Sequence, residues 1–467
     1  MVLRPLVTSI GAALTVTALS ASAAAADDDV QDQPSDHYSV VARGETLFQL
    51  YERALLPGPD GALVVSRRVA PINQYLSLRV QDIDAIGHKD SLDVELSAWG
   101  GVHLGELDNG DGVAREHRLD GDVQSANVRY HQGQTWLRLG RQAFAGGAAR
   151  YARFDGLAVG SRLDVGLGAE AYGGLSVLPR WNQQIGYQQL GSAQDTLLRN
   201  PDALEDPNRT GYWLAGARLF YDKGPLSAGA SFHEQHENSE LAHRNVGADA
   251  HWQPSDKLAV GGNGIFDLDG SRLADARAWV DATPHYLVDL TGEFTHTVPA
   301  AFLSHQSVLS VFSTDSFDEV GGGFTLHAMP RLALEGNGFI ELFSDGERGS
   351  RGDAEVRWSP DRPERTMIIV AYGRVIAPEN GYHSLRTSLR RRIVRPLTAT
   401  AEAYLYFYDE SIRGIDTSSV YAGTLGYAVL PELSVLWGAS VARSPYAKSD
   451  VQSLVRLSYL FGGRGGT

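Results

Sequence analysis

The sequence contains no cysteine, only three methionines and only four lysines. The absence of cysteine excludes a disulfide framework. Beyond the N-terminal region, no continuous apolar run is long enough to cross a bilayer as a helix, which excludes a helical membrane protein. The formal net charge is −15 at pH 7, and this acidity argues against nucleic acid as a partner.

The N-terminal region has the form of a cleavable signal peptide. Arg4 precedes an apolar stretch over residues 6–19, and a run of small residues ends with Ala24 and Ala26, spaced as in a signal-peptidase site. A transmembrane anchor fits less well, because the apolar run is short and is interrupted by Thr, Ser and Gly. We therefore expect residues 1–26 to be removed and the chain to be exported.

From Tyr75 onward the sequence repeats one unit, about 10–14 residues of strict alternation followed by a turn rich in Gly, Pro, Asp or Asn. A period of two places alternate residues on opposite faces of a strand. One face is small and apolar and the other is charged; in one segment these faces are Leu92, Val94, Leu96 and Ala98 against Asp93, Glu95, Ser97 and Trp99. A soluble sandwich would show the same alternation, but at this length it would need linkers between domains, and the sequence lacks them.

The sequence therefore predicts an all-β fold, a transmembrane antiparallel up-and-down β-barrel of about 22 strands, with 18–22 as the range. Very short connections, several with proline, alternate with mostly longer polar ones. In such barrels the short turns are periplasmic and the long loops lie outside. The short connections include residues 253–255 and 283–284, and the longer ones include residues 144–152, 177–210 and 410–415.

The predicted barrel occupies residues 61–467. About 21 strands are recognisable from Tyr75 to Phe461, and an even number is expected, so we predict one further strand around residues 62–70. Residues 27–60 are predicted to form a periplasmic N-terminal segment. Its acidic first part is expected to be disordered, and residues 45–56 are expected to form a short amphipathic helix.

Short stretches of the chain resemble porin-like and alginate-export-like outer-membrane proteins. Residues 136–142 (WLRLGRQ) and 153–157 (RFDGL) are similar to their strand–loop–strand pattern. Residues 454–461 resemble the C-terminal strand that the barrel-assembly machinery recognises, with Tyr459 and Phe461 as the assembly signal. One departure is that such proteins usually end on the aromatic residue, whereas here six further residues follow it. The resemblance implies passage of hydrophilic solute or polymer across the outer membrane.

The polar face of the predicted strands supplies the candidate functional residues. Rings of fixed charge in a pore set its selectivity, and arginine binds carboxylate or phosphate oxygens in pairs. The same residues could instead be structural, with arginines paired to carboxylates inside a plugged lumen. The candidate pore-lining or substrate-binding residues are Arg79, Asp93, Glu95, Arg129, Arg138, Asp275, Arg277, Asp289, Glu293, Glu355, Arg357, Arg386, Arg390, Glu402, Tyr404 and Arg456.

A row of tyrosines shares the polar face. Tyr404, Tyr406 and Tyr408 alternate with apolar residues. They suit either a path for carbohydrate, whose C–H surfaces pack on flat rings, or the aromatic belt at a membrane interface. The sequence leaves both interpretations open.

We predict no enzymatic activity, no cofactor and no metal site. His233 and His236 are one residue too close for the zinc motif HExxH, and on a strand they face opposite ways. The predicted function is a channel for hydrophilic solute or polymer, with polysaccharide export slightly favoured. The alternatives are a general or carbohydrate-selective diffusion porin, a structural or adhesive barrel, or an outer-membrane enzyme.

The predicted partners are outer-membrane lipid and the barrel-assembly machinery, together with periplasmic export proteins and polysaccharide if the channel exports a polymer. A barrel of about 22 strands is wide, since 16–18 strands already enclose an aqueous channel. We therefore expect inward-folded loops, above all residues 177–210, to narrow the lumen.

Overall fold

The alternating segments of the chain form antiparallel strands. The computed structural model describes residues 38–55, 67–84, 90–104, 119–177, 211–237, 239–302, 316–361, 365–378, 380–445 and 447–465. The predicted signal peptide lies outside these residues. No helix in the described part of the chain is long and apolar enough to cross a membrane.

Twenty-three β segments follow one another along the chain. They are β1 (Tyr38–Leu55), β2 (Arg67–Val69), β3 (Pro71–Asp84), β4 (Asp90–His103), β5 (Leu119–Gln132), β6 (Thr135–Ala145), β7 (Tyr151–Arg162), β8 (Leu167–Ser176), β9 (Trp213–Lys223), β10 (Leu226–Glu237), β11 (Glu240–Ser255), β12 (Leu258–Asp267), β13 (Arg272–His285), β14 (Val288–Thr297), β15 (Phe317–Met329), β16 (Leu332–Phe343), β17 (Arg348–Trp358), β18 (Thr366–Ile376), β19 (Tyr382–Val394), β20 (Leu397–Ile412), β21 (Ile415–Leu430), β22 (Leu433–Arg443) and β23 (Ala447–Gly465). Two short 3₁₀ turns, Gly147–Ala149 and Pro299–Phe302, are also present.

The sheet closes into a barrel of 22 strands, as the sequence predicts. Segments β2 and β3 are separated only by Ala70 and both pair with β1, so they form a single strand of the barrel. Each later strand pairs with its neighbour in the chain, and β1 also pairs with β23 along its full length. This last pairing leaves the sheet without a free edge.

The N-terminal boundary of the barrel differs from the prediction. The additional strand is Tyr38–Leu55, and the helix predicted over residues 45–56 is wrong; of the strand predicted around residues 62–70, Arg67–Val69 forms β2, and residues 62–66 lie outside the described residues. The barrel therefore begins at Tyr38 rather than at residue 61. Side chains of this segment have helical propensity, but pairing with strands on both sides overrides it.

The two faces of the wall differ in chemistry. Large apolar side chains are exposed on the outside of the barrel; Leu139 is 62% exposed, Leu219 is 68% and Ile340 is 53%. The residues that alternate with them, including Arg138, Arg218 and Glu341, carry charge and point into the lumen. The outside is thus apolar and the interior polar, which reverses the arrangement of a soluble protein.

Connections at one end of the barrel are mostly short, as predicted, but some differ in detail. Pro254 and Pro284 lie within strands at register shifts, and the turns follow at residues 256–257 and 286–287. A bulge tolerates proline because the ladder hydrogen bond is already lost there. Residues 410–415 do not form a long loop, because Arg413 and Gly414 alone make the turn, with φ of 53° and 75°.

An aromatic ring covers a glycine on the neighbouring strand at seven places in the described wall. Each pair is in direct register, and a Cβ on the glycine would lie only 2.1–2.8 Å from ring atoms. The small glycine therefore gives the ring room to lie against the wall. The pairs are Tyr459–Gly44, Trp136–Gly160, Phe220–Gly168, Tyr172–Gly216, Trp279–Gly261, Phe339–Gly321 and Phe324–Gly336.

Candidate functional site in the barrel lumen

The tip of the β6–β7 hairpin folds into the lumen and contacts the inner wall at strands further along the barrel. The backbone N–H of Ala148 donates to Ser231 Oγ at 2.8 Å, and Arg150 forms an ion pair with Asp275. Ser231 is on β10 and Asp275 on β13, three and six strands from β7 around the barrel. The side chains of both point inward, so the tip has to cross the interior to reach them.

The receiving wall has room for this tip because its side chains are small. A Cβ on Gly247 would lie 2.7 Å from the backbone nitrogen of Ala148, and a Cβ on Gly147 would lie 2.4 Å from Ser231 Oγ. Gly147 also has a φ of 54°, which favours glycine. Two glycines and a serine thus permit a backbone-to-wall contact that larger side chains would block.

The base of the hairpin is anchored by an apolar cluster inside the barrel. Its buried members are Phe154, Tyr172 and Leu214, with two alanines. The ring of Tyr172 stacks on Phe144 at a centroid distance of 4.1 Å, and its hydroxyl is 3.0 Å from Nδ1 of His233. Ring packing on this scale contributes beyond area burial, so the inward position of the hairpin is stably held.

A gap in the wall forms where the hairpin leaves it. Pairing between β5 and β6 stops at Ala126 and Arg141. The carbonyls of β5 that precede Ala126 in the chain therefore have no partner on β6. Arg141 and Arg153 replace that partner: both donate to the Val123 carbonyl, at 2.9 and 2.6 Å. These two guanidinium groups therefore take over the hydrogen bonds that a neighbouring strand would have made.

The same two arginines bind carboxylates at the gap. Arg141 forms a bidentate pair with Asp155 at 2.7 and 2.9 Å, and both Arg141 and Arg153 reach the buried Asp122, at 3.2 and 2.9 Å. Arg141, Asp122 and Asp155 line a cavity of about 450 Å³ together with Val123, Ala126 and Gly140. Each charge at the gap is matched, so we assign these groups a structural role.

The inner face of β3–β6 carries a group of three arginines, Arg79, Arg129 and Arg138, against two carboxylates in register with them. Arg129 and Arg138 are direct cross-strand partners, and their guanidinium carbons lie 5.0 and 5.9 Å from the ring centroid of Trp136. In the described part of the chain the Nε atoms of both arginines are buried without a hydrogen-bond partner. Like charges in direct register repel, so this site favours an anion.

Each of the two acidic residues near these arginines also contacts another side chain. Asp93, opposite Arg129, lies 3.3 Å from His131 Nε2, and Glu95, opposite Arg79, accepts a hydrogen bond from Ser125 at 3.0 Å. Their charge therefore compensates the arginines only in part.

The opposite sector, β13–β17, carries closely paired charges with an excess of acid. Arg277 is 2.6 Å from Glu293, and Arg351 forms a bidentate pair with Glu319 at 2.8 Å. Further contacts in the sector join Arg351 to Glu341 at 3.8 Å, Arg357 to Glu335 and Glu355 at 3.0 Å each, and Asp289 to His327 at 2.9 Å.

A third sector, β19–β22, is rich in tyrosine. Tyr404 shares the inner face with Glu402, whereas Phe407, of opposite parity, is 46% exposed outside. The tyrosine row therefore lies on the lumen wall and is not part of an interface belt. The guanidinium of Arg386 lies 5.4 Å from the ring centroid of Tyr404 and 3.8 Å from a Glu402 oxygen.

The predicted pore-lining residues fall into these three sectors. One group, on β3–β6, comprises Arg79, Asp93, Glu95, Arg129 and Arg138; a second, on β13–β17, comprises Asp275, Arg277, Asp289, Glu293, Glu355 and Arg357; and a third, on β19–β20, comprises Arg386, Arg390, Glu402 and Tyr404. Arg456 stands apart on β23. Their roles in selectivity or substrate binding stay predictions.

Sequence reasoning missed the residues that position the hairpin. Arg150, Asp122 and Ser231 act through contacts between distant strands, and no local pattern marks them. Residues 144–152 were predicted as an outer loop. Residues 178–210, within the loop predicted to narrow the lumen, lie outside the described residues.

The histidines considered as metal ligands lie apart, on opposite faces of β10. His233 is buried against Tyr172, while the ring of His236 stacks on Trp213 at 4.1 Å. Among the described residues, no group of three or more His, Asp or Glu side chains is placed to hold a metal ion.

This architecture defines the fold class as a closed antiparallel β-barrel of 22 strands with a polar lumen. No family model and no curated protein matches the sequence. Solved structures with similarity include Pseudomonas aeruginosa OccK9 (OpdG), at 12% identity and a TM-score of 0.44, covering 91% of this chain and 98% of that chain. Acinetobacter baumannii OccAB4 shows 9% identity and a TM-score of 0.44 with the same coverages.

The Pseudomonas aeruginosa outer membrane protein opdK shows 14% identity and a TM-score of 0.40, covering 91% of this chain and 99% of that chain. Such values do not establish membership of a family. The similarities also give no support to the alginate-export-like interpretation of residues 136–142 and 153–157.

Proposed function

We propose that this protein is an outer-membrane channel through which hydrophilic solutes diffuse. The observation that carries the proposal is the contrast between the faces of the barrel, with exposed Leu, Val and Phe outside and charged groups inside. A soluble protein does not expose an apolar surface of this extent, whereas membrane barrels require it.

Two sequence features are consistent with an outer-membrane location. Residues 1–26 have the form of a signal peptide, and Tyr459 and Phe461 lie on the closing strand β23, as expected for an assembly signal. Phe461 is 62% exposed on the outer face. Outer-membrane lipid and the barrel-assembly machinery are therefore the partners that we propose.

The hairpin favours diffusion of solutes over export of a polymer. It crosses the lumen between β7 and β13 and is attached at both its base and its tip. A fixed obstruction limits the size of what passes, whereas a polymer exporter needs a continuous wide path. Polysaccharide export is thus the weaker of the two channel hypotheses.

The test is single-channel conductance of the refolded protein in a planar bilayer. A diffusion channel gives steady conductance that persists without added partners, and liposomes that contain it swell in small sugars but not in large dextrans. A barrel that inserts without conducting would contradict the proposal and favour a structural barrel, a gated exporter or an enzyme. Swelling in large dextrans would contradict the narrowing by the hairpin.

A further inference from the structure

Four tyrosines form a continuous aromatic surface on one side of the lumen. This tyrosine track consists of Tyr404, Tyr406 and Tyr408 on β20 and Tyr382 on β19. The ring of Tyr382 meets Tyr406 edge-on at 5.7 Å and Tyr408 at 6.4 Å. Alternate residues on a strand are about 6.7 Å apart, so the track runs along the wall rather than around it.

Small side chains flank the tyrosine track on both sides. Ser384 on β19 and Ser418 on β21 are the direct cross-strand partners of Tyr406. Beyond them, the inner face of β21 and β22 carries only small or uncharged side chains, namely Val420, Ala422, Thr424, Leu436, Gly438, Ser440 and Ala442. Neighbours of this size leave the ring of Tyr406 open to the lumen, whereas the guanidinium of Arg386 lies 5.4 Å from the ring centroid of Tyr404; each tyrosine is partly exposed.

The surface around Tyr404 has little net charge, whereas Tyr382 lies near Glu341 of the acidic sector. Arg386, beside Tyr404, is balanced by Glu402 at 3.8 Å, and Glu402 also accepts hydrogen bonds from Ser388 at 3.3 Å and Tyr404 at 3.4 Å. This sector differs in that respect from the arginines of β3–β6 and from the acidic excess of β13–β17. A charged ligand would therefore gain little here.

We propose that the tyrosine track binds a neutral oligosaccharide during its passage through the barrel. Tyrosine offers an apolar ring for the C–H face of a sugar and a hydroxyl for its polar edge. Aromatic walls with a few hydrogen-bonding groups are the usual composition of ligand sites, and the track has this composition. The inference rests on the proposed channel function and names one class of solute that the channel selects.

Binding is measured by titrating maltohexaose into the detergent-folded protein in a calorimeter, and separately by sugar-induced blocking of single-channel current. We expect the Tyr404→Ala/Tyr406→Ala double variant to weaken affinity by about tenfold or more and to shorten blocking events in proportion. An acidic hexamer, oligogalacturonate, should bind the wild-type track more weakly than maltohexaose.

The control is Tyr421→Ala, which removes a tyrosine from the outer face of neighbouring β21, where it is 55% exposed. It should leave affinity unchanged, and heat-modifiable migration on gels should show that all variants are folded. If the protein conducts but does not bind the sugar, or if the wild type and the double variant bind it equally, the sugar-binding site is overturned while the channel function stands. If the protein binds the sugar but does not conduct, the proposed channel function is overturned while the sugar-binding site on the tyrosine track stands.

Discussion

At the scale of single residues, the most unusual arrangement is the pair of arginines in direct register on β5 and β6. Arg129 and Arg138 share the ring of Trp136, and buried Nε atoms on both remain without partners in the described part of the chain. Two like charges in register destabilise a sheet unless a bound anion or a neighbouring carboxylate compensates them. A passing anion would therefore be attracted at this point.

Replacing both arginines with glutamine should shift the ion selectivity of the channel toward cations. We expect the ratio of chloride to potassium permeability to fall severalfold, because fixed charge on a pore wall sets the local concentration of counter-ions. The measurement is the reversal potential in a salt gradient. Replacement by lysine keeps the charge and should leave the ratio nearly unchanged; an equal fall in both variants would show that the charge does not matter.

The inward direction of these arginines could be predicted from alternation alone, but their pairing could not. A period of two assigns each residue to a face, whereas the neighbour across the strand depends on register, which no single segment encodes. The guanidinium groups of Arg141 and Arg153 illustrate this. Both sit in the stretches that resemble known barrels, yet their hydrogen bonds to the Val123 carbonyl arise only where β5 and β6 separate.

At the scale of elements, the β6–β7 hairpin departs most from a regular barrel. Side chains on its two strands alternate between the faces as in the other strands, and the sequence of its tip, rich in glycine and alanine, predicts an ordinary connection. Its inward course depends on Tyr172 of the next strand and on Ser231 and Asp275, which belong to strands farther along the chain. Local sequence therefore predicts the hairpin but not its direction.

The docking of the hairpin can be tested by a disulfide, because the chain has no cysteine of its own. Ala148→Cys combined with Ser231→Cys should form a bond on oxidation, since the Ala148 backbone nitrogen lies 2.8 Å from Ser231 Oγ. Mild oxidation should then remove both free thiols without preventing insertion into bilayers.

The matched control pairs Ala148→Cys with Phe232→Cys, because Phe232 is adjacent in sequence but faces outward and is 38% exposed. Its thiols should stay free. Similar cross-linking in both pairs would mean that the tip does not rest on the inner wall of β10.

At the scale of the whole molecule, the barrel depends on a strand that the alternation from Tyr75 onward does not reveal. Strand β1 pairs with β3 on one side and with β23 on the other, and it is 18 residues long. Its composition, with Glu, Gln and Leu close together, favours a helix in isolation. The 22-strand closure was predictable from parity, but the segment that provides it was not.

Deleting residues 38–55 should prevent formation of a folded barrel. The deletion exposes the edges of β3 and β23, and open edges are not tolerated in a bilayer. The measurement is heat-modifiable migration after refolding into detergent, where the deletion variant should give only the unfolded band and aggregate.

A circular permutant gives the control for this deletion. Tyr38 and Gly465 are directly paired, so a short turn can join them while new termini open at Gly224 between β9 and β10. This variant keeps all strands and should fold. Folding of the deletion variant to the same extent would show that the barrel can close without β1.

The seam between β1 and β23 also constrains how the protein is made. Strand β1 is synthesised before the other strands of the barrel, and β23 is synthesised last. One side of β1 therefore stays unpaired until β23 arrives. Every interruption of synthesis or export before β23 therefore produces a fragment with two reactive edges. On the proposed route to the outer membrane, periplasmic chaperones and proteases would meet such fragments before the membrane does.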